Sequence, residues 1–409
     1  MTKDRKYDVI VWGSTGFTGR LVAEYYKKQY PTTSDLKWAM AGRSKSKLDG
    51  VQSLTQTAHI PQIIADFTDL SSLDEMTRMA KVICTTVGPY AKYGSALVAS
   101  CIKNGTHYCD LAGEVQWIRK MIDQHHTEAE EKKVKITHCC GFDSVPSDMG
   151  VYFFQNELKK KTGTFASEIK FFVKAMSGTF SGGTLASLQN VMGEAASDKS
   201  IFKILVNPYG LNPKGDRSGP DKADLLKPKM DKDMKEWVGP FVMASINTKV
   251  VRRSLALSGH PYGRDFLYSE TMLTGNGIKG RLTAASLMMT MGIASAMKPG
   301  TMLKKIGDHF LPKPGEGPSK EQRENGFFNI LLLGKMKDGK SYKMKITGDK
   351  DPGYGSTSKM LGEAAVCLAH DQKHLPNTYG CITPSVAMGK VFLDRLIANS
   401  GLTFDMQNG

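Results

Sequence analysis

The 409 residues include seven cysteines but no Cys-x-x-Cys pair, and no His, Cys and Asp cluster has the spacing of a metal site. These absences argue against a structural zinc module and a dithiol redox motif. A glycine-rich turn near the N-terminus lacks the Gly-Lys-Ser/Thr ending of a P-loop. Internal repeats, heptad arrays and nucleic-acid-binding motifs are also missing. No apolar leader precedes Tyr7 in the run Met1-Thr2-Lys3-Asp4-Arg5-Lys6, so the chain is expected to stay in the cytoplasm. Cys84, Cys101, Cys109 and Cys139 sit in or beside apolar segments, as reduced core residues of an intracellular protein do. Vicinal Cys139-Cys140 is either a redox pair or strand-end packing.

What is present fits a folded chain of two domains: 40% of residues are hydrophobic and 23% charged. The net charge of +15 favours anionic partners, among them phosphate-bearing cofactors, carrier-linked acyl groups and acidic lipid surfaces. Nucleic acid is not an expected partner.

The run Val9-Ile10-Val11-Trp12 reads as a buried strand that turns at Gly13-Ser14-Thr15-Gly16-Phe17-Thr18-Gly19 into a helix. Glycines there permit a tight turn and a close approach of the main chain to a pyrophosphate, at which the helix N-terminus points its N–H groups. The spacing is Gly-x-x-Gly-x-x-Gly, and Ser14 and Thr15 are expected to add hydroxyl donors. A second strand, Leu36–Ala41, ends in Gly42-Arg43-Ser44-Lys45. An NAD site places a carboxylate at that point for the ribose 2′-hydroxyl, whereas an arginine suits a 2′-phosphate. Arg43 with Ser44 therefore predicts NADP(H); the competing reading of Arg43 is a solvated loop.

Strand and helix signals continue to alternate: strands at 60–67, 82–87, 107–111 and 134–139, helices at 72–79, 95–103 and 114–132. The pattern predicts an α/β protein with a Rossmann-type doubly wound parallel sheet over residues 1–160. Past residue 160 the rhythm changes to strand-like segments at 167–175, 255–257 and 265–273, then a hairpin from 327–336 to 342–347 across Lys337-Asp338-Gly339-Lys340. Residues 161–350 are thus expected to form an α+β domain containing an antiparallel sheet, with 207–237 as an exposed excursion. Residues 351–409 are expected to supply helices that return to the first domain. Leu282–Met297 carries no charge and is followed by Lys298-Pro299-Gly300 and Leu303-Lys304-Lys305-Ile306, with Lys313 beyond. It is short for a membrane span, which needs about 20 apolar residues. Segment 282–305 reads either as a buried helix or as a peripheral contact with a membrane or lipid droplet.

The chain resembles the saccharopine dehydrogenase-like oxidoreductases, in the branch of the trans-acting enoyl reductases. The likeness is carried by the glycine turn, by Ala41-Gly42-Arg43-Ser44, Val87-Gly88-Pro89-Tyr90, Gly105-Thr106-His107-Tyr108-Cys109-Asp110-Leu111-Ala112-Gly113-Glu114 and Cys140-Gly141-Phe142-Asp143-Ser144-Val145-Pro146-Ser147-Asp148. Ser181-Gly182-Gly183-Thr184, Asp351-Pro352-Gly353-Tyr354-Gly355 and Thr383-Pro384 extend it. The resemblance implies an NAD(P) cofactor, an inserted substrate or dimerisation domain with a homodimer as one outcome, and reduction of a lipid-like enoyl or acyl intermediate. It leaves two alternatives open: a non-catalytic NADP-binding scaffold on a lipid surface, and a saccharopine-type amino-acid oxidoreductase with Arg252, Arg253 and Arg264 holding carboxylates.

Hydride transfer needs a positioned nicotinamide and a proton donor within reach rather than a nucleophile. Gly88, Pro89 and Tyr90 are expected beside the nicotinamide ribose, with Tyr93 the nearest hydroxyl donor. His107, Tyr108, Asp110 and Glu114 form a polar group at the fifth strand. His107 and Asp110 are candidate acids; the competing reading makes Asp110 a helix cap and His107 a core residue. Asp143 and Ser144, before Pro146, have the same capping explanation.

Overall fold

The computed structural model describes residues 5–31, 33–178, 182–296 and 317–407. These form two compact units, one holding the chain up to Val145 with Gly317 and Gly353–Gly401, the other holding Pro146 onward, Pro318–Pro352 and the chain from Leu402. The division falls inside the helix Val145–Thr162.

In the first unit the strands are β1 (Tyr7–Trp12), β2 (Trp38–Gly42), β3 (Gln62–Ile64), β4 (Ala80–Thr85), β5 (His107–Cys109) and β6 (Lys135–Thr137). A seventh, Gly380–Ile382, pairs with β6, and the sheet runs Gly380–Ile382, β6, β5, β4, β1, β2, β3. Every pairing is parallel. All residues of β1 and β2 are buried, which is why they read as unbroken apolar runs. The order reverses between β1 and β4, so a ligand crevice opens at the carboxyl ends of those strands. The seventh strand lies between the C-terminal helices, far outside the 1–160 span over which the sequence predicts the sheet.

The helix Thr357–His370 packs on β1, β4, β5 and the helix Phe17–Gln29, and is buried along nearly its whole length. Its Glu363 is fully buried. That carboxylate accepts hydrogen bonds from Tyr25 Oη (2.7 Å), Tyr30 Oη (2.5 Å), Arg395 Nη1 (3.1 Å) and Asn399 Nδ2 (3.1 Å). Four donors, two from the N-terminal helix and its C-cap and two from the helix Pro384–Asn399, therefore lock this helix in place.

The second unit is built on a sheet in the order Leu402–Gln407, Ser341–Gly348, Phe327–Lys335, Glu168–Ser177, Leu267–Gly275, Glu236–Gly239, Lys229–Asp231. All its pairings are antiparallel except Glu168–Ser177 with Leu267–Gly275. The predicted hairpin is present, with Gly339 at φ +87° in its turn.

Two expectations for this unit need correction. Residues 255–257 end a helix, Ala244–Leu257, rather than forming a strand. The helix buries Asn247, Thr248, Lys249, Arg252, Arg253 and Ser254; interior polar groups of this number break the apolar pattern by which a helix is recognised. The 207–237 segment is not a simple exposed excursion, because Tyr209, Leu211 and Asn212 are buried and Asp221 receives Arg252 Nε at 2.7 Å. Arg252 also donates to the carbonyls of Pro208 and Tyr268, and Arg253 to that of Leu211. Neither arginine belongs to a solvated face, and both guanidinium groups serve the interior; Arg264, by contrast, is exposed and pairs with Asp216.

Glu270 lies in the same interior, accepting from Tyr268 Oη at 2.7 Å and Asn247 Nδ2 at 2.9 Å. Burial pushes its carboxyl up to about 7 despite these donors. The folded chain therefore keeps a proton that the unfolded chain releases near its ordinary value of 4.5. The associated stability is complete below that value and falls as pH rises toward 7. Chemical denaturation should show a decline on the order of 3 kcal/mol between the two pH values. Glu270→Gln should flatten it; an unchanged slope in the variant would assign the decline to another group.

Candidate active site

Gly13 follows β1 with φ +90°, a conformation open to glycine and strained for other residues. A Cβ at Gly13 would lie 2.6 Å from Val87 Cγ2, and one at Gly19 would lie 2.2 Å from the Gly13 carbonyl oxygen. The turn is thus wedged between the loop after β4 and its own helix, with Thr86 Oγ1 donating to the Gly13 carbonyl at 3.2 Å. Gly16 stands at the N-cap of the helix Phe17–Gln29 without a side-chain cap. A pyrophosphate fits such a cradle, where backbone N–H groups and the helix dipole meet it directly. Thr15 and Gly16 are exposed, and Phe17 and Thr18 half-buried. Ser14 differs from expectation: it is fully buried and its hydroxyl donates to the Val11 carbonyl at 2.7 Å, so that proton faces the strand end.

Arg43 leaves the end of β2 on the exposed surface and lies over the ring of Phe67, 5.2 Å from its centroid. No hydrogen bond or ion pair engages its guanidinium among the described residues, although Asp66 is near enough to feel its charge. Ser44 caps the next helix, Lys45–Thr55, whose first turn holds no acid. A cation with open donors beside an acid-free helix N-terminus suits a 2′-phosphate. Tyr93 turns its ring to Phe67 at 4.7 Å, which groups it with Arg43 rather than with Asp110.

On the other side of the switch point, Gly88 is exposed, Pro89 is half-buried behind a cis peptide bond, and Tyr90 is buried. The Tyr90 ring stacks on Trp117 at 5.4 Å and its hydroxyl donates to the Thr85 carbonyl. Glu114 receives the backbone N–H groups of Tyr90 (2.7 Å) and Ala91 (2.9 Å) with its two oxygens. The packing reading of Tyr90 accounts for every one of these contacts.

His107 is the first residue of β5 and hence at the edge opposite the crevice. Its Nδ1 accepts the Lys135 backbone N–H at 3.1 Å, and burial lowers its pKa to about 4. At neutral pH its ring is therefore uncharged. Asp110, at the carboxyl end of β5, is fully buried. Its Oδ1 accepts the N–H groups of Ala112 (3.0 Å) and Cys139 (3.2 Å), while Oδ2 meets Tyr108 Oη (2.8 Å) and His138 Nδ1 (2.7 Å). Asp110 therefore ties the loop after β5 to that after β6, a wider role than capping one helix. His138, which the sequence reading passed over, is 5% exposed, and its Nε2 has no hydrogen-bond partner among the described residues. The sequence signal for it was its place just past β6, at the crevice edge. Cys139 donates its thiol to the Ala112 carbonyl, and the seven cysteines are buried and form no disulfide among the described residues.

Asp143 lies in the loop beyond β6, half-buried. Burial pushes its carboxyl up to about 7; its own backbone N–H pulls the other way, and the neighbouring Asp110 carboxylate adds to the rise. An acid protonated near neutral pH at the crevice edge has the property of a proton donor.

Residues 9–136 match the family described as the saccharopine dehydrogenase NADP binding domain. Over 96% of both chains the sequence is 36% identical to a putative trans-acting enoyl reductase of Mycobacterium tuberculosis. It is 34% identical, at the same coverage, to a trans-acting enoyl reductase of Mycobacterium ulcerans. The chain belongs to the saccharopine dehydrogenase-like family, in its trans-acting enoyl reductase branch. Its fold is that of the apo histidine-tagged saccharopine dehydrogenase (L-Glu forming) from Saccharomyces cerevisiae, with a TM-score of 0.53 at 12% identity, covering 98% of this chain and 100% of that one. This family member is an NAD(P)-dependent oxidoreductase, and its cofactor is NADP(H).

Gly19→Ala should destabilise the protein by about 1–3 kcal/mol through overpacking against the Gly13 carbonyl, and should weaken NADPH binding at least tenfold. Thermal melting and cofactor titration measure both; an unaltered melting point and affinity would show that the turn is not built around this approach.

Proposed function

We propose that the protein is an NADPH-dependent reductase of a hydrophobic acyl-type substrate, an enoyl thioester, at a site formed by the glycine turn, Arg43, Ser44 and the loops after β4, β5 and β6. The observation that carries the chemistry is the half-buried Asp143 at the crevice edge, which an inert cofactor-binding scaffold has no use for. The similarity to the mycobacterial enoyl reductases supports the enoyl class. The interior engagement of Arg252 and Arg253 supports an apolar substrate over one with several carboxylates. When bound, NADPH supplies a hydride. The chain supplies the pyrophosphate cradle, the 2′-phosphate contact at Arg43 and a proton.

Arg43→Ala should weaken NADPH by about 1.5–3 kcal/mol, roughly 10- to 100-fold, with little change for NADH. Fluorescence titration with both cofactors tests it, and tighter NADH binding in the native protein would remove the assignment.

A contact with an anionic lipid surface belongs to the same reading. Among the described residues no helix is long and apolar enough to cross a membrane. The helix Gly277–Ala296, however, exposes Ile278, Leu282, Met289 and Ile293. Their spacings of four, seven and four residues put them on one helical face. The basic residues Lys298, Lys304, Lys305 and Lys313 that completed this expectation lie outside the described residues. Burial of that face supplies the affinity, and Lys279 and Arg281 at its start suit anionic headgroups, each worth about 1 kcal/mol near the surface. In liposome flotation with anionic lipid, the native protein should float and Met289→Asp should not. Met289 is 63% exposed, so its substitution leaves the fold intact; native protein that stays at the bottom of the gradient ends the lipid-surface reading.

A further inference from the structure

The parallel sheet delivers two adjacent loops, those after β5 and β6, to one edge, and both are short of side-chain atoms where they face Asp143. A Cβ on Gly141 would stand 3.0 Å from Asp143 Oδ2, and one on Gly113 3.7 Å from Asp143 Oδ1. The carboxyl group therefore occupies a slot between two glycines, one from each loop. Beneath it, Asp110 is held in place by four hydrogen bonds, including those from Tyr108 and His138. The groups that act on Asp143, or feel its charge, are Asp110, Tyr90 and the Cys139 thiol, with Glu114 acting on Tyr90 as well. His138, on Asp110, is the imidazole of this group.

We propose that Asp143 is the acid that protonates the substrate, with Asp110 and His138 as positioning residues that fix the two loops around it. The proposal rests on the reductase reading above and deepens it. NADPH, when bound, would supply the hydride for the new C–H bond at the β-carbon of the enoyl thioester. The π electrons move toward the α-carbon and thioester oxygen as an enolate. The Asp143 O–H bond breaks as the α-carbon C–H bond forms, leaving a carboxylate that regains its proton from water. The alkene is reduced, the cofactor is oxidised, and the net proton comes from solvent. Because Asp143 resides within the slot, its acid form predominates below about pH 7 and is lost above it.

Two measurements decide this. In protein labelled with carbon-13 at aspartate carboxyl groups, the resonance absent from Asp143→Asn should titrate near pH 7 in the NADPH-bound protein, without substrate; titration in the ordinary carboxylate range overturns the proposal. In single-turnover reduction of a long-chain trans-2-enoyl thioester, the native rate should fall as pH rises through about 7. Asp143→Asn should lower the rate at least 100-fold and abolish that dependence, with NADPH affinity within twofold of native. Asp143→Glu should retain a pH-dependent rate. A native rate flat from pH 5 to 9 overturns the donor role without recourse to any variant. If the native protein reduces the thioester and Asp143→Asn is equally active, the donor role falls and the reductase reading stands. If the native protein binds NADPH but reduces no enoyl thioester, both fall.

Discussion

The architecture of the site hangs on the carboxylate of Asp110. A fully buried charge is unfavourable unless its lone pairs are taken up, and here four donors do so: two backbone N–H groups, a phenol and an imidazole. Each donor comes from a segment that must therefore stay where it is. The consequence is that Cys139 is held in a left-handed conformation at φ +62° and the chain beyond β6 is directed back toward the loop after β5. Asp143 inherits its surroundings from this arrangement, since the negative charge that orders the loops also disfavours a second one beside it.

The two halves of the crevice use different physics. Around the glycine turn the protein offers main chain, tight approach and the Arg43 guanidinium. Past the switch point it offers buried side chains in a shared hydrogen-bond network, where protonation states depend on one another. Binding a charged dinucleotide calls for the first, and moving a proton calls for the second.

Much of the first unit was legible in the sequence because β1 and β2 are fully buried and the glycine turn is local in sequence. The same holds for Arg43, whose place is fixed by its position just past a strand. Side-chain roles were less legible. His107 and Asp110 lie three residues apart, yet one is at the amino end of β5 and the other at the carboxyl end, so a short strand separates residues that look like one cluster. His138 gains its meaning from Asp110, 28 residues earlier, a pairing no local pattern contains. In the second unit the helix Ala244–Leu257 hid its identity because its interior face is polar, and its partners at Pro208, Leu211, Asp221 and Tyr268 are all distant in sequence.

The helix Thr357–His370 covers strands that the ribosome makes roughly 250 to 350 residues before it. During synthesis β1, β4 and β5 are present for most of the chain's elongation with the face that this helix will occupy uncovered, and Glu363 has not yet appeared to receive Tyr25 and Tyr30. The first unit to be translated is thus among the last to be completed. Such a chain keeps an apolar sheet face uncovered for longer than one whose covering helix follows directly, which lengthens the interval in which that face can meet other molecules.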